Sequence, residues 1–342
     1  MTKYVVLGDL HLNSKNGSEI YTKHQQKFFD KVLFPFLKEH QMNVIQLGDL
    51  FDQRKYANFV GLDAAFKGFF DEMPNRIYMT TLLGNHDVVY RESLKVNAPE
   101  LLCSDYSYLT IVNSPQTIDG IDYIPWICND NREEINEFIQ NSKSKICCGH
   151  FEVAGFAMQR GVPSHGGLDV KTFEKYQLVL SGHYHTRSSS SNITYVGTPY
   201  ELTWADYKDP KGFHVLDTET MELEFIENPY NLFETIYYDD TNPTDICKSD
   251  YVEKYVKVVV VNKTDYNLFD RFINNLNNSG AYDVKIIENF TDNTVGSIDE
   301  EIILQDTLSV LDSYIDSLNH ENPEELKNQI KALYVQAQEL IE

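Results

Sequence analysis

A pattern that occurs five times before residue 190 sets narrow limits on the fold of this 342-residue chain. Each time, a short apolar run rich in Val, Ile or Leu is followed by a glycine, after one intervening serine in the last case, and Asp, Asn or His comes directly after the glycine. Such runs are typical of strands buried on both faces, and the glycine permits a sharp turn at the strand end. The runs are Tyr4–Leu7, Val44–Leu47, Ile77–Leu83, Ile146–Cys148 and Leu178–Leu180.

Between the early runs, residues 23–37 and 59–70 carry apolar side chains at helical spacing. Alternating strands and helices predict an α/β layered domain over residues 1–228. Four later apolar runs predict a second, more antiparallel sheet in the same domain. These runs are Ile121–Trp126, Ile193–Val196, Phe213–Leu216 and Leu223–Ile226.

The texture of the sequence changes after Asn228. A strand at Tyr255–Val261 and a helix at Leu268–Leu276 predict a small α+β domain over residues 229–295. The polar segment 291–301 has the composition of a linker. Residues 296–342 are predicted to contain the end of this linker and a helical hairpin. The second helix of the hairpin begins at Asn322-Pro323. The hairpin either packs on its own domain or docks on the helices of a partner.

Composition limits the function classes. The sequence lacks a signal peptide and any apolar stretch of about 18 residues, so a cytosolic protein is expected. Its five cysteines show no CxxC spacing, which argues against a structural zinc site. The net charge is −23, with 21 basic and 30 acidic residues in 1–228 and 8 and 22 in 229–342. A free-standing nucleic-acid binder normally has a basic face, so any contact with DNA needs a local basic patch, a partner or bound cations.

The turns after the five runs carry the residues of a candidate metal centre. Taken singly, each motif is also typical of a capped turn. Together they place carboxylate, imidazole and amide ligands without thiolate, a set that suits manganese, iron or zinc-like ions. Two such ions about 3.5–4 Å apart can share a carboxylate, activate water and neutralise charge on a phosphate. The candidates are Asp9, His11, Asp49, Asp52, Asn85, His86, Asp87, His150, His183 and His185.

The motif order DxH, GDxxD, GNHD, GH and GHxH resembles the calcineurin-like metallophosphoesterase superfamily over residues 1 to about 216. The resemblance implies a four-layer sandwich of two mixed β-sheets flanked by helices. It also implies two divalent ions, manganese first and magnesium as the alternative, that share Asp49. The implied ligands are Asp9, His11, Asp49 and His185 for one ion, and Asp49, Asn85, His150 and His183 for the other.

The same resemblance implies roles for three further residues. His86 would meet the scissile phosphate and give a proton to the leaving oxygen. Asp87 would orient His86, and Asp52 would buttress the bridging loop. For Asp52 and Asp87, a purely turn-stabilising role is the alternative. Protein Ser/Thr phosphatases are disfavoured, because Asp52 is not followed by their Arg-Gly pair and the third motif ends in Asp87 rather than Glu.

A second resemblance lies after the last motif. The segments 195–199 (YVGTP) and 209–213 (DPKGF) are similar to the SbcD family of double-strand-break nucleases. Residues 48–55 (GDLFDQRK), Ser164-His165-Gly166 and the overall length are similar to those of the recombination endonuclease subunits of T-even phages. Beyond about residue 228 the likeness is one of layout: a capping domain and a C-terminal helical hairpin.

This family resemblance implies a DNA nuclease subunit that works as a homodimer with an SbcC-like coiled-coil ATPase, which would bind the hairpin and supply surface for double-stranded DNA. Arg54 and His165 would contact DNA, or else are an ordinary surface charge and loop histidine. Phe59, Phe66, Phe69 and Phe70 would form the dimer surface or the core. The alternatives are a small-molecule phosphodiesterase of the same superfamily and a catalytically silent scaffold.

Overall fold

The structure, a computed structural model, describes residues 2–159, 162–163, 166–241, 248–288, 315, 322–323, 326–330 and 333. Contacts between Cα atoms divide the chain into two compact units, Met1–Tyr230 and Asn231–Glu342. The predicted segment 291–301, nearly all of the predicted hairpin, and His165 lie outside the described residues. None of the helices in the described part of the chain is long and apolar enough to cross a membrane.

Strands outnumber helices in the described part of the chain. The described strands are β1 Lys3–Leu7, β2 Asn43–Gln46, β3 Met79–Leu82, β4 Val88–Tyr90, β5 Ser93–Asn97, β6 Leu109–Val112, β7 Gln116–Ile118, β8 Ile121–Ile124, β9 Ile146–His150, β10 Ala157–Gln159, β11 Val162–Pro163, β12 Leu178–Gly182, β13 Ser188–Ser190, β14 Ile193–Tyr195, β15 Gly212–Asp217, β16 Leu223–Glu227, β17 Phe233–Asp239, β18 Tyr255–Asn262 and β19 Asp283–Glu288. The described α-helices are α1 Ser14–Gly17, α2 Glu19–Phe28, α3 Phe34–His40, α4 Phe59–Ala65, α5 Ala98–Cys103, α6 Arg132–Asn141 and α7 Tyr266–Asn277. π-Helical turns span Phe29–Leu33 and Phe66–Phe70, and 3-10 turns span Val170–Phe173, Trp204–Asp206 and Lys248–Tyr251.

Two mixed sheets form the first unit. Within the described residues, the first sheet has the order β16-β15-β1-β2-β3-β6, with β1, β2, β3 and β6 parallel and β15 antiparallel to β1. The second has the order β13-β14-β12-β9-β8-β7, with β14, β12, β9 and β8 parallel and both edges antiparallel. In the first sheet β1, β2 and β3 are parallel neighbours, and in the second sheet β9 and β12 are. The carboxyl ends of the motif-bearing strands therefore share an edge in each sheet.

The prediction of a second sheet built from four apolar runs is wrong for two of the four runs. Residues 213–216 and 223–226 do not belong to a second antiparallel sheet, because β15 and β16 extend the first sheet beside β1. The second sheet is instead built around the runs of β9 and β12 together with β8 and β14. An apolar run shows that a segment is a strand, but it does not encode which partner the strand will pair with.

The layers are held by two apolar cores that use opposite faces of the first sheet. Alternate residues of β1 separate them: Val6 packs between the sheets, and Val5 packs against the helices. The inter-sheet core also contains Cys148 and Leu180, and the helical core contains stacked aromatics such as Phe69. On the second sheet, the ring of Phe173 lies 4.5 Å from that of Phe151, which follows β9. The α/β sandwich of two mixed sheets and flanking helices is therefore confirmed.

The second unit contains a parallel sheet in the order β17-β18-β19, with α7 between β18 and β19. The predictions of a strand at 255–261 and a helix at 268–276 are confirmed. Asp265 caps α7 by accepting a hydrogen bond from the backbone N–H of Leu268 at 3.0 Å. Phe269 and Leu276 then pack on the sheet against Val256 and Val258.

Candidate metal centre

The five motifs converge because each follows the carboxyl end of a parallel strand. Asp9 and His11 follow β1, Asp49 and Asp52 follow β2, and Asn85 follows β3 in the first sheet. In the second sheet, β9 ends at its motif histidine and β12 is followed by the other two. The side chains meet where these edges of the two sheets come together, and most of them are almost fully buried.

The turns themselves have unusual backbone geometry. His11, Asp49 and His183 have φ values of 43°, 52° and 85°, in the left-handed region that non-glycine residues rarely adopt. Gly48 has a φ of 96°, and a Cβ there would lie 2.5 Å from Nδ1 of His150. Strained backbone of this kind is concentrated at functional sites, where surrounding structure holds it in place.

One group of side chains comprises Asp9, His11 and His185. Nε2 of His11 and Nε2 of His185 are 3.1 Å apart, and Nε2 of His185 is 3.8 Å from Oδ2 of Asp9. The backbone N–H of His183 donates to Oδ1 and Oδ2 of Asp9 at 3.1 and 3.0 Å, which fixes this carboxylate. Two imidazole nitrogens and a carboxylate facing one another suit a divalent cation.

A second group comprises Asp49, His150 and His183, with Asn85 between the two rings. Oδ1 of Asn85 is 2.9 Å from both Nε2 of His150 and Nδ1 of His183. Oδ2 of Asp49 lies 3.3 Å from Nε2 of His150 and 3.9 Å from Nε2 of His11. The same carboxylate oxygen thus faces both groups, as a bridging ligand must.

The donor chemistry of His150 tests whether a cation fits. Its Nδ1 is 2.8 Å from the carbonyl oxygen of Leu47, which can only accept, so Nδ1 carries the proton. In the neutral ring, Nε2 then presents a lone pair to two further acceptors, Oδ1 of Asn85 and Oδ2 of Asp49. Three converging acceptors repel one another unless a proton or a metal cation lies between them. A histidine whose other nitrogen donates to a backbone carbonyl is also the usual arrangement of a metal ligand. The residues present therefore fit a metal centre.

The pKa values of the clustered side chains also fit a metal centre. Burial opposes charge on His11 and His150, yet the neighbouring carboxylates raise both pKa values to about 9. Burial raises the pKa of Asp9 to about 6, whereas that of Asp49 is held well below its ordinary value because His150 and His86 outweigh burial. The histidine protons balance the buried carboxylates, and metal ions would replace these protons on binding.

The contacts of His86, Asp52 and Asp87 differ from those that the resemblance implies. Nδ1 of His86 lies 2.7 Å from the backbone carbonyl oxygen of Asp52, and Asp87 instead accepts from the backbone N–H groups of Gly84 and Phe51 at 2.9 and 3.0 Å. The contacts of Asp87 are those of its turn-stabilising alternative, and the ring of His86 contacts the backbone of Asp52. The Asp52 carboxylate lies 3.3 Å from Nδ1 of His11 and also accepts from the backbone N–H of Lys15.

Supporting contacts come from residues that sequence reasoning passed over. Gln25 donates through Nε2 to the carbonyl oxygen of His11 at 3.0 Å. Buried Lys211 donates through Nζ to the carbonyl oxygen of His185 at 2.8 Å and pairs with Asp206 at 2.7 Å and Asp209 at 2.8 Å. The DPKGF segment is the sequence signal that would have pointed to Lys211. Nothing in the sequence marks Gln25 or the Leu47 carbonyl.

The remaining candidates are placed as follows. The pKa of His86 is lowered mainly by burial. The charges of His11 and of Arg54 lower it further, so Arg54 lies close to this ring. Phe69 and Phe70 are core residues, and Phe66 packs against that core. Phe59 is 86% exposed, and Tyr56 and Val60, which are near it in sequence, are also exposed. His165 lies outside the described residues.

The model of the family described as calcineurin-like phosphoesterase matches residues 2–187 of the chain, more than half of its length. The chain belongs to the calcineurin-like phosphoesterase family. This phosphoesterase is 33% identical over 98% of its length to "Exonuclease subunit 1" of Enterobacteria phage T4, of which it covers 99%. It is 22% identical over 44% of its length to the D subunit of the nuclease SbcCD of Staphylococcus epidermidis, of which it covers 41%.

Family membership and site geometry together give the chemistry. The chain is a metal-dependent hydrolase of phosphoesters, and the two His/Asp groups are its candidates for binding the divalent ions that the family uses. The recognition of this family from the five motifs is confirmed.

Proposed function

We propose that the chain is the nuclease subunit of an SbcCD-like complex and hydrolyses phosphodiester bonds of DNA in recombination, repair and replication. The observation that carries the proposal is the shared Oδ2 of Asp49, which faces His150 and His11 in two separate ligand groups. It occurs in a chain that aligns over nearly its whole length with a phage exonuclease subunit.

The ligand assignment follows the two groups. Two divalent ions bound there would activate water and neutralise charge developing on the phosphate. Asp49 would be shared, and hard oxygen and imidazole donors without thiolate favour manganese, with magnesium as the alternative. The other ligands of the first ion would be Asp9, His11 and His185, and those of the second would be Asn85, His150 and His183.

His86 would serve as the proton donor to the leaving 3′ oxygen. Its Nδ1 donates to the Asp52 carbonyl oxygen, which fixes the ring and directs Nε2 away from that contact. Burial lowers the pKa of His86 below its ordinary value, so its protonated form is a stronger acid toward a leaving oxygen, while a smaller fraction of the rings carries that proton at neutral pH. The charge of nearby Arg54 would help to hold the DNA backbone.

The partner would be an SbcC-like coiled-coil ATPase. The acidic chain, with a net charge of −23, has little to offer DNA outside the metal centre, and an ATPase with its own DNA-binding surface would relieve this. Its contact would lie on the predicted hairpin of residues 296–342. The exposed apolar side chains Tyr56, Phe59 and Val60 would serve a homodimer contact within a heterotetramer.

The test is cleavage of linear duplex DNA with manganese, with and without the ATPase. His86→Ala should reduce cleavage about 10²–10⁴-fold while metal content and ATPase binding persist. The exposed His40 gives a matched control, His40→Ala, which should cleave normally. Full activity of His86→Ala would refute the mechanism. Hydrolysis of small phosphodiesters without any cleavage of DNA, even beside the ATPase, would establish the small-molecule alternative.

A further inference from the structure

A cavity of about 400 Å³ opens beside the candidate metal centre, within the unit Met1–Tyr230. This volume falls in the range of about 300–1,000 Å³ that is typical of small-ligand sites. None of the proposed catalytic roles uses it, although one metal-ligand candidate contributes to its wall. Among the lining residues are Arg91, Trp126, Arg132, His150, Glu152 and Leu168.

The indole of Trp126 connects the cavity to the metal centre. Its ring centroid is 5.4 Å from that of His183 and 6.0 Å from that of His150. Nε1 of Trp126 donates to the backbone carbonyl oxygen of Arg91 at 3.4 Å, so the ring is held at one edge. The side chain is only partly buried and lines the cavity.

The charges around the cavity are balanced rather than basic. Arg91 and Arg132 line it, but so do Glu92 and Glu152. A site for phosphate alone would carry an excess of positive charge. A flat indole ring with hydrogen-bond donors and acceptors around it suits a flat ligand whose edge also carries donors and acceptors. A nucleobase has these properties.

We propose that this cavity receives the base of the nucleotide whose phosphate lies at the metal centre, with Trp126 as the stacking surface. The proposal rests on the assignment of DNA as substrate and deepens it. A phosphate among the histidines and a base against Trp126 would be the two ends of one nucleotide. Arg132 and Glu152 would contact the polar edge of the base, so terminal or unpaired nucleotides would be preferred over paired ones.

Tryptophan fluorescence of the full chain tests this without any measurement of catalysis. The sequence has two tryptophans, so the variant Trp204→Phe reports on Trp126 alone and the matched variant Trp126→Phe reports on Trp204 alone. Deoxyadenosine 5′-monophosphate is titrated with Mg²⁺ present, and deoxyribose 5-phosphate and inorganic phosphate serve as probes that lack a base. We expect saturable quenching by the nucleotide only, and only in Trp204→Phe.

Affinity for the nucleotide gives a second readout, measured by equilibrium dialysis. Trp126→Ala should weaken binding of the nucleotide about tenfold or more relative to deoxyribose 5-phosphate, as expected for a lost base–aromatic stack. Arg132→Ala, which is remote from the metal ligands in sequence, should also reduce this preference. The exposed Arg76 gives the control, Arg76→Ala, which should leave the preference unchanged.

Equal binding of the nucleotide and the base-free phosphates, or equal quenching of both tryptophans, would overturn the proposal. These results are distinguishable from failure of the proposed function. A chain that cleaves DNA but shows no preference for a base keeps its nuclease assignment and loses the base site. A chain that shows the preference but does not cleave DNA keeps the base site.

Discussion

Asp49 lies at a φ of 52°, and Oδ1 of its carboxylate accepts the backbone N–H of His86 at 2.7 Å while Oδ2 faces both ligand groups. This geometry depends on the close approach of the third motif. At Gly84, an added Cβ would lie 2.2 Å from Oδ1 and 2.3 Å from the backbone nitrogen of Asp49. The glycine is therefore required by the space around the shared carboxylate.

Gly84→Ala should weaken manganese binding about 10–100-fold, because the Asp49 turn must move to admit the methyl group. Isothermal titration calorimetry of the metal measures this. Gly120→Ala is the control, since a Cβ there meets nothing within 4 Å; its φ of 80° should cost about 1–2 kcal/mol of unfolding free energy without affecting the metal. Undiminished metal affinity in Gly84→Ala would contradict the argument.

At the scale of elements, the sequence predicts the strands well, because buried parallel strands are continuous apolar runs that end at recognisable turns. Pairing is different, since β15 and β16 belong to the first sheet and not to the second. This pairing has a consequence for the site. It brings Lys211, directly before β15, to the carbonyl oxygen of His185 beyond the end of β12.

Lys211→Met should lower the unfolding free energy by about 3–5 kcal/mol, because it leaves the buried Asp206 carboxylate without its cation. Metal affinity should also fall, since His185 loses the contact that holds its backbone. Urea unfolding and metal titration measure the two effects. The exposed neighbour gives the control Lys208→Met, expected within about 0.5 kcal/mol of the parent. Similar stabilities for the two variants would show that the ion pair has no such role.

For the molecule as a whole, buried histidines couple folding to pH. His24 on α2 is 6% exposed, and its Nε2 has no hydrogen-bond partner among the described residues. Burial, with the charge of Lys27, lowers the pKa of His24 to about 4. The unfolded chain therefore takes up a proton below about pH 6.5 that the folded chain refuses, and stability is lost as pH falls from about 6.5 to 4.

This loss amounts to about 2 kcal/mol at pH 5 for His24. His24→Phe retains a ring beside Tyr200 but removes the titration, so its stability should fall less between pH 7.5 and pH 5. Urea unfolding of the two proteins at both pH values measures the difference. Parallel losses in the parent and the variant would show that His24 does not titrate in this way.

Local sequence was enough to specify the α/β class, the five strand-end motifs and the family, because a buried strand followed by a turn is encoded in a few consecutive residues. It also brought the metal-ligand candidates to notice, since carboxylate and imidazole side chains are chemically conspicuous. Tertiary contacts were needed to show that Nδ1 of His86 lies 2.7 Å from the backbone carbonyl oxygen of Asp52 and that β15 joins the first sheet. They also placed Trp126 beside the site. These features depend on backbone carbonyls and strand partners far apart in the chain, which no local pattern of side chains specifies.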